Sequence, residues 1–231
     1  VRAAAGIAVE RFDYPQSALA VSFSHPAPHH GISTEVHRAN GPVTTVPLPG
    51  LNSSLVWVDG RAEVARLQAL APDVFLDELD RRLMGLLGRP FDLRRRAAFP
   101  LESLRAERFG ARRIALVSET AHVVPPIGAQ GLNLGLRDIA HLVDCIERHS
   151  VAGDPGASAV LDAYDGARQS DVFSRVVAVD LLNRSLFSGF LPLSLARGVG
   201  LHAINLVSPL RDWLVREGLG LNSSLPALMR R

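Results

Sequence analysis

The stretch VVPPIGAQGLNLGLRD, Val123–Asp138, packs two prolines and three glycines between the apolar run IALV and a helical pattern. Punctuation this dense suits a place where the backbone itself must come close to something. Gly128 and Gly131 let the main chain approach a flat or anionic ligand with no side chain between them. The helix behind the loop aims its first turn outward, with unpaired N–H groups and positive partial charge. Pro125 and Pro126 stiffen the approach and donate no hydrogen bond. Gln130 and Asn133 put amides at the ligand-facing end, and Glu119 upstream adds a carboxylate acceptor. The pattern is that of a binding loop. No Ser–His–Asp set is evident, and no metal is expected: His25, His29 and His30 surround prolines in a polar loop without an adjacent Cys or carboxylate. His122 reads as a packed, hydrogen-bonded structural histidine.

The elements that must position this loop follow from pattern and punctuation. SALAVSFSH, STEVHRAN, GPVTTVPLPG and SSLVWVDG alternate apolar with polar or small residues between turn signals, which predicts an antiparallel meander. RAEVARLQALA is helical. After Pro72, DVFLDELDRRLMGLLG places Phe75, Leu79, Leu83 and Leu86 on one face, with a stop expected at Gly88 and Pro90. RRAAFPLESL and RRIALVSET predict two more strands, the second ending at Ser118. Leu134, Ile139, Leu142 and Ile146 mark the apolar face of a helix over 131–149, and Ser158–Leu186 reads as one long helix with Arg and Asp outward. In SPLRDWLVREGLG, Ser208 is a candidate N-cap, Pro209 the first helical residue and Gly218 the stop.

Bulk numbers narrow the function classes. A chain of 231 residues, 47% hydrophobic, can bury one large core or two small ones. The net charge is +2 and every basic residue is Arg, in short patches (Arg94–Arg96, Arg112–Arg113) without interleaved aromatics, so nucleic-acid binding is not expected. The single cysteine, Cys145, excludes an intrachain disulfide framework and fits a reducing, cytoplasmic setting. The first residues carry no basic-then-apolar leader and no Met, so the chain is expected to begin within something longer. Leu186–Val207 is apolar but interrupted by Pro192, Arg197 and His202, which argues against a spanning helix. Two readings stay open for it: peripheral contact with the inner membrane face, or cover for another part of the protein.

ALVSETAHVVPPIGAQGLNLGLRDIAHL resembles the second flavin-binding motif of the class A FAD-dependent aromatic hydroxylases, G-D-A-A-H followed by P, a Gly loop, G-x-N-x-G and a helical D. The match runs ungapped from Ser118 to Asp138, with Ser118 where the family has Gly and Glu119 where it has Asp. YPQSALAVSFSHPAPHHG, GPVTTVPLPG with SSLVWV, FPLESLRAERF and LNRSLFS extend the resemblance to the ubiquinone-biosynthesis branch. VRAAAGI resembles the residues that follow that family's D-G-x-x-S-x-V-R motif, so the chain looks like the C-terminal portion of such an enzyme.

The resemblance implies a mixed α/β fold, a fragment of the para-hydroxybenzoate-hydroxylase type. Its parts would be a mostly antiparallel substrate-domain sheet with helices (residues 1–112), a strand–loop–helix flavin segment completing an FAD-binding domain (113–149), and a C-terminal helical region (150–231). It implies FAD as cofactor, NAD(P)H as reductant, and hydroxylation of an aromatic ring through a flavin hydroperoxide, with the flavin rather than a side chain doing the chemistry. The substrate implied is a polyprenyl phenol; a small soluble phenolic acid, or an inactive or accessory fragment lacking half the FAD site and prone to self-association, are the other readings. Cofactor contacts would fall to Glu119, Pro126, Gly128, Gln130, Gly131, Leu132 and Asn133. A dry substrate pocket would be walled by Val46, Trp57, Pro125 and Pro126.

Overall fold

The computed structural model describes residues 2–38, 40–126, 130–187, 206–218 and 226–229. The chain forms two compact units, one built around Asp13–Leu101 and the other around Val1–Phe12 and Glu102–Ser185. Strands β1 (Val9–Ser24) and β5 (Ala97–Ala106) each run through both.

In the first unit the expected meander is found: β2 (Thr34–Val36), β3 (Val43–Leu48) and β4 (Asn52–Gly60) pair antiparallel in the order β2-β3-β4-β1. The register sets Trp57 between Leu19 on β1 and Val43 on β3, and Leu55 opposite Val21. Side chains alternate across a strand, so one sheet face is Leu19, Val21, Phe23, Val43, Leu55 and Trp57. That face packs on Val64 and Leu67 of α2 (Arg61–Ala69) and on Phe75, Leu79 and Leu83 of α3 (Pro72–Leu83). Each large side chain fully buried here contributes on the order of 1.5–3 kcal/mol. The opposite face, where Ala20, Ser22, Thr44, Val46, Ser54 and Val56 lie in register, stays partly or well exposed, and at its β2 edge Glu35 accepts the Thr44 hydroxyl at 2.9 Å.

Pro72 ends α2 and starts α3, because a residue before proline avoids the helical region and proline itself suits a first helical position. The expected stop at Gly88 comes earlier. Met84 takes a left-handed φ of 55° and the Gly85 N–H donates to Asp80 O, closing α3 at Leu83. Leu86, expected on the buried face with Phe75, Leu79 and Leu83, therefore lies beyond the helix and is half exposed. The arginine run is not simply solvated: Arg96 donates to Leu67 O and Leu70 O at the end of α2 and lies over the Phe75 ring.

The second unit holds α1 (Arg2–Ala5), the start of β1, the end of β5, β6 (Gly110–Ala111), β7 (Ile114–Ala115) and β8 (His122–Val123). It also holds α4 (Gln130–His149), α5 (Ser158–Phe187) and α6 (Ser208–Gly218), with a last 3-10 turn at Ala227–Met229. The strand expected over RRIALVSET pairs only at Ile114–Ala115, and Ser118–Thr120 turns as a 3-10 helix instead. Its core gathers Phe109, Leu116, Leu134, Cys145, Val160, Tyr164 and Val172. On α4, Ile139 was expected inward but is half exposed; polar Arg137, Asp138 and Asp144 occupy the buried face. On α5 the expectation of Arg and Asp pointing outward holds for Asp162 but not further along, where Tyr164, Arg168, Asp171 and Arg175 follow helical spacing along the inner face. Among the described residues no helix is long and apolar enough to cross a membrane. Leu186–Val207 lies for the most part outside them.

Leu79 sits at the centre of the first core and is wholly buried. Leu79→Ala should lower the unfolding free energy by about 3 kcal/mol, read from the urea midpoint at unchanged slope.

Candidate functional site

β7 delivers the chain to Leu116 and Val117, and the 3-10 turn reverses it. Thr120 locks that turn: its hydroxyl donates to Val117 O at 2.6 Å and accepts the Val117 N–H at 3.0 Å. From α1, Arg2 Nη1 donates to Glu119 O (3.1 Å) and Thr120 O (2.9 Å). β8 then pairs with β5, His122 opposite Arg105, and the chain runs through Pro125 and Pro126 toward α4.

One carboxylate ties these pieces together. Asp138 on α4 is wholly buried; Oδ2 accepts the Ser118 N–H and His122 Nε2, both at 2.7 Å, and Oδ1 accepts Arg168 Nε at 2.7 Å. An ionised carboxylate only accepts, so Nε2 carries the histidine proton. His122 is 2% exposed and packs beside Phe109, which makes it a structural histidine. Tyr164 donates to Leu116 O at 2.8 Å from the next turn of α5.

A second knot lies further along α5. Asp171 Oδ2 accepts Arg168 Nη1 (2.5 Å) and forms an ion pair with Arg137, Nε at 3.1 Å, while Oδ1 accepts Arg175 Nε (3.0 Å). Burial pushes the Asp171 carboxyl up, but Arg168, Arg137 and Arg175 outweigh it and leave the group below its ordinary 3.8. Burial, with Arg168 and Arg137 adding to it, also holds His141 below the usual histidine value. Arg175 Nη1 reaches Gln130 Oε1, at the first residue of α4, at 3.3 Å.

Between the turn and the head of α4 lies a cavity of about 230 Å³, lined by Ser118, Glu119, His122, Val123, Val124, Gly131 and Leu132. Three of the residues expected from sequence, Glu119, Gly131 and Leu132, thus meet around one space. Gln130 and Asn133 flank them on the same helical turn, and Asn133 is exposed. A Cβ at Gly131 would meet nothing within 4 Å. Pro125 is buried and Pro126 exposed on the approach; Gly128 lies outside the described residues. The other two expected wall residues belong to the first unit. Val46 is exposed on the outer sheet face, whereas Trp57 is wholly enclosed in the core against Phe75, with Arg82 5.0 Å over its ring. Trp57, expected in the pocket wall, thus belongs to the core, where its indole fills the space between the sheet and α3. The loop histidines are also structural: His25 Nδ1 meets Ala27 O and Nε2 meets Ser53 Oγ, while His29 Nε2 meets Leu48 O and Gly50 O. Among the described residues no three His, Cys, Asp or Glu side chains converge as a metal site.

Pattern reading missed Gly135, Arg168, Asp171 and Arg175. Ser118 has φ +54°, a left-handed conformation that favours glycine. Its side chain rests against Gly135, where an added Cβ would come 2.7 Å from Ser118 Oγ and 3.0 Å from its Cβ. The signal for the α5 residues was the spacing 164, 168, 171, 175 on one helix face.

A family model described as "FAD binding domain" matches residues 1–179. Ubiquinone hydroxylase UbiL of Rhodospirillum rubrum is 35% identical over 234 residues, covering 100% of this chain and 54% of that protein. The 3-demethoxyubiquinol 3-hydroxylase of Escherichia coli is 30% identical over 222 residues, covering 96% and 56%. The chain therefore spans about half the length of the curated relatives it matches. Among solved structures, p-nitrophenol 4-monooxygenase PnpA from Pseudomonas putida DLL-E4 superimposes with a TM-score of 0.70 over 94% of this chain and 56% of its own, at 19% identity. That likeness is one of fold, and it matches the mixed α/β hydroxylase fragment expected from the motifs.

Two outcomes follow from the geometry. Gly135→Ala should destabilise the protein by about 1–3 kcal/mol through the clash with Ser118, and by clearly less when Ser118→Gly is also present; a double-mutant cycle in urea measures the coupling. Asp171 has a lowered folded-state pKa, so its contribution is complete above the unfolded value of 3.8 and is lost as pH falls through the folded one. Asp171→Asn should be less stable at neutral pH, and its acid-unfolding curve should lack the wild-type component below about pH 4.

Proposed function

The chain belongs to the FAD-binding domain family, and on that premise we propose that it forms the flavin-facing and substrate-facing part of a monooxygenase that hydroxylates the ring of a polyprenyl phenol in ubiquinone biosynthesis, with NAD(P)H as reductant. The observation that carries this is the cavity of about 230 Å³ at the head of α4, which the exposed Glu119 lines together with Gly131 and Leu132 of the first helical turn.

The residues present fit the cofactor. Glu119 offers an acceptor for ribityl hydroxyls, in the position where the family's Asp serves. Gly131 leaves the backbone open to a flat ring, and the N–H groups of the first turn, at Leu132 and Asn133, suit its electron-rich edge. Gln130 supplies an amide beside them, and the resemblance would put Pro126 toward the ring's substrate side. When bound, FAD supplies the activated oxygen and the electron sink that no side chain here provides. The chain's own part is to hold the ring, orient it and stabilise negative charge on it.

The half-open sheet face of the first unit supports the substrate class. Ala20, Ser22, Thr44, Val46, Ser54 and Val56 offer no cation for a carboxylate, and Glu35 beside Thr44 would repel one, which favours a neutral, apolar phenol over a small phenolic acid. Peripheral membrane contact would suit such a substrate.

The test uses the natural protein that carries this chain. FAD should bind at near-equal stoichiometry, and Glu119→Ala should weaken it tenfold or more by flavin fluorescence titration. A prenylated phenol should stimulate NAD(P)H oxidation while a small phenolic acid does not. Colourless protein that ignores added FAD would overturn the cofactor reading; failure of every prenylated phenol would overturn the substrate class alone.

A further inference from the structure

Gln16 on β1 carries a side-chain oxygen with no partner. The residue is 6% exposed, and its Oε1 is buried and accepts no hydrogen bond among the described residues. An amide oxygen removed from water without a donor is unfavourable, and buried polar groups are ordinarily paired. The register fixes where this one sits. Gln16 lies opposite Gly60, Ala18 opposite Val58, Ala20 opposite Val56 and Ser22 opposite Ser54. Side chains alternate along a strand, so these residues share the outer face of the sheet. That face is closed at one end and open at the other. Tyr14, Ala18, Val58 and Leu101 form a buried apolar cluster at the Gln16 end, whereas Ala20, Val56, Ser22 and Ser54 are half-buried. Across from Gln16 there is room: a Cβ at Gly60 would meet nothing within 4 Å. The neighbouring Arg61 turns its Nη2 to Tyr14 O at 2.8 Å.

We propose that Gln16 is a substrate-binding residue: its Oε1 accepts the ring hydroxyl of a neutral phenol whose apolar tail runs over Ala20, Val56, Ser22 and Ser54 toward the open end of the face. This rests on the substrate reading above. The orphan oxygen only accepts, so its partner must be a donor; a free hydroxyl qualifies and a carboxylate does not. Along β1, Gln16 and Ser22 stand about 20 Å apart. That is longer than a phenol ring, so the remaining track serves an apolar chain. Ala18 and Ala20 leave depth for it, and Glu35 stands two strands away from β4, beyond Thr44.

The experiment titrates the natural protein that carries this chain, by calorimetry, with a prenylated phenol and with its deoxy analogue, which has hydrogen in place of the hydroxyl. Wild type and Gln16→Met are compared, and their melting temperatures are recorded. Wild type should bind the phenol roughly tenfold more tightly than the analogue, about the worth of one buried hydrogen bond. Methionine keeps the length of the side chain without a strong acceptor. Gln16→Met should therefore bind the two compounds alike, with a melting temperature no lower than that of wild type, because the unpaired oxygen is gone. Wild type that binds phenol and analogue equally would overturn the proposal without any variant. So would a Gln16→Met protein that keeps the preference, or one that loses both ligands together with several degrees of melting temperature, which would make Gln16 structural. Wild type that binds neither compound would overturn the substrate class and this proposal with it, whereas phenol binding that does not depend on Gln16 would overturn this proposal alone.

Discussion

The second unit is organised around the buried carboxylate of Asp138. It reaches three pieces of chain far apart in sequence: the Ser118 amide in the turn, the His122 ring on β8 and the Arg168 guanidinium on α5. A buried carboxylate without such partners would be costly to desolvate, and removing one partner leaves another charge unmatched. The three bonds therefore form as a set or not at all. Because the turn, the strand and both helices share this anchor, the cavity wall formed by Ser118 and Glu119 is held at a fixed distance from the wall formed by Gly131 and Leu132.

The same anchor explains why the loop could be read from sequence while its support could not. Glycines, prolines and amides between a strand and a helix single out this segment by residue type alone, and Glu119, Gly131 and Leu132 do meet around one cavity. The meander of the first unit was legible because alternation of apolar residues survives in β3 and β4. The long α5 was legible as a helix, but its polarity was misleading. Arg and Asp on a helix ordinarily mean solvent, and here the stripe Tyr164, Arg168, Asp171, Arg175 is the buried one because Asp138 and Leu116 O await it. Ile139 failed for the converse reason, since the inward positions of α4 were already taken by Arg137, Asp138 and Asp144. Periodicity tells which residues share a face; it does not tell which face finds a partner.

Backbone strain carries the remaining information. Ser118 stands where the motif ordinarily has glycine, and it occupies the left-handed region that makes glycine the expected residue. The conformation persists because its N–H is claimed by Asp138 and its hydroxymethyl group is received by Gly135, which has no side chain to obstruct it. The last glycine of G-x-N-x-G, Gly135, is buried and leaves room for the turn.

The Glu119 substitution is easier to place with that turn in view. Both carbonyls at its far end, Glu119 O and Thr120 O, are held by Arg2, and the Thr120 hydroxyl closes the loop on Val117. The backbone beneath Glu119 thus has little freedom to retreat, so the extra methylene relative to aspartate extends the carboxylate further from the turn. An acceptor carried further out on a fixed base meets a hydroxyl at a different depth, and the first turn of α4 opposite is just as fixed through Asp138. Between these walls, one tied to Arg2 and both to Asp138, Glu119 carries the lengthened arm, and its rotamer sets how far the carboxylate reaches.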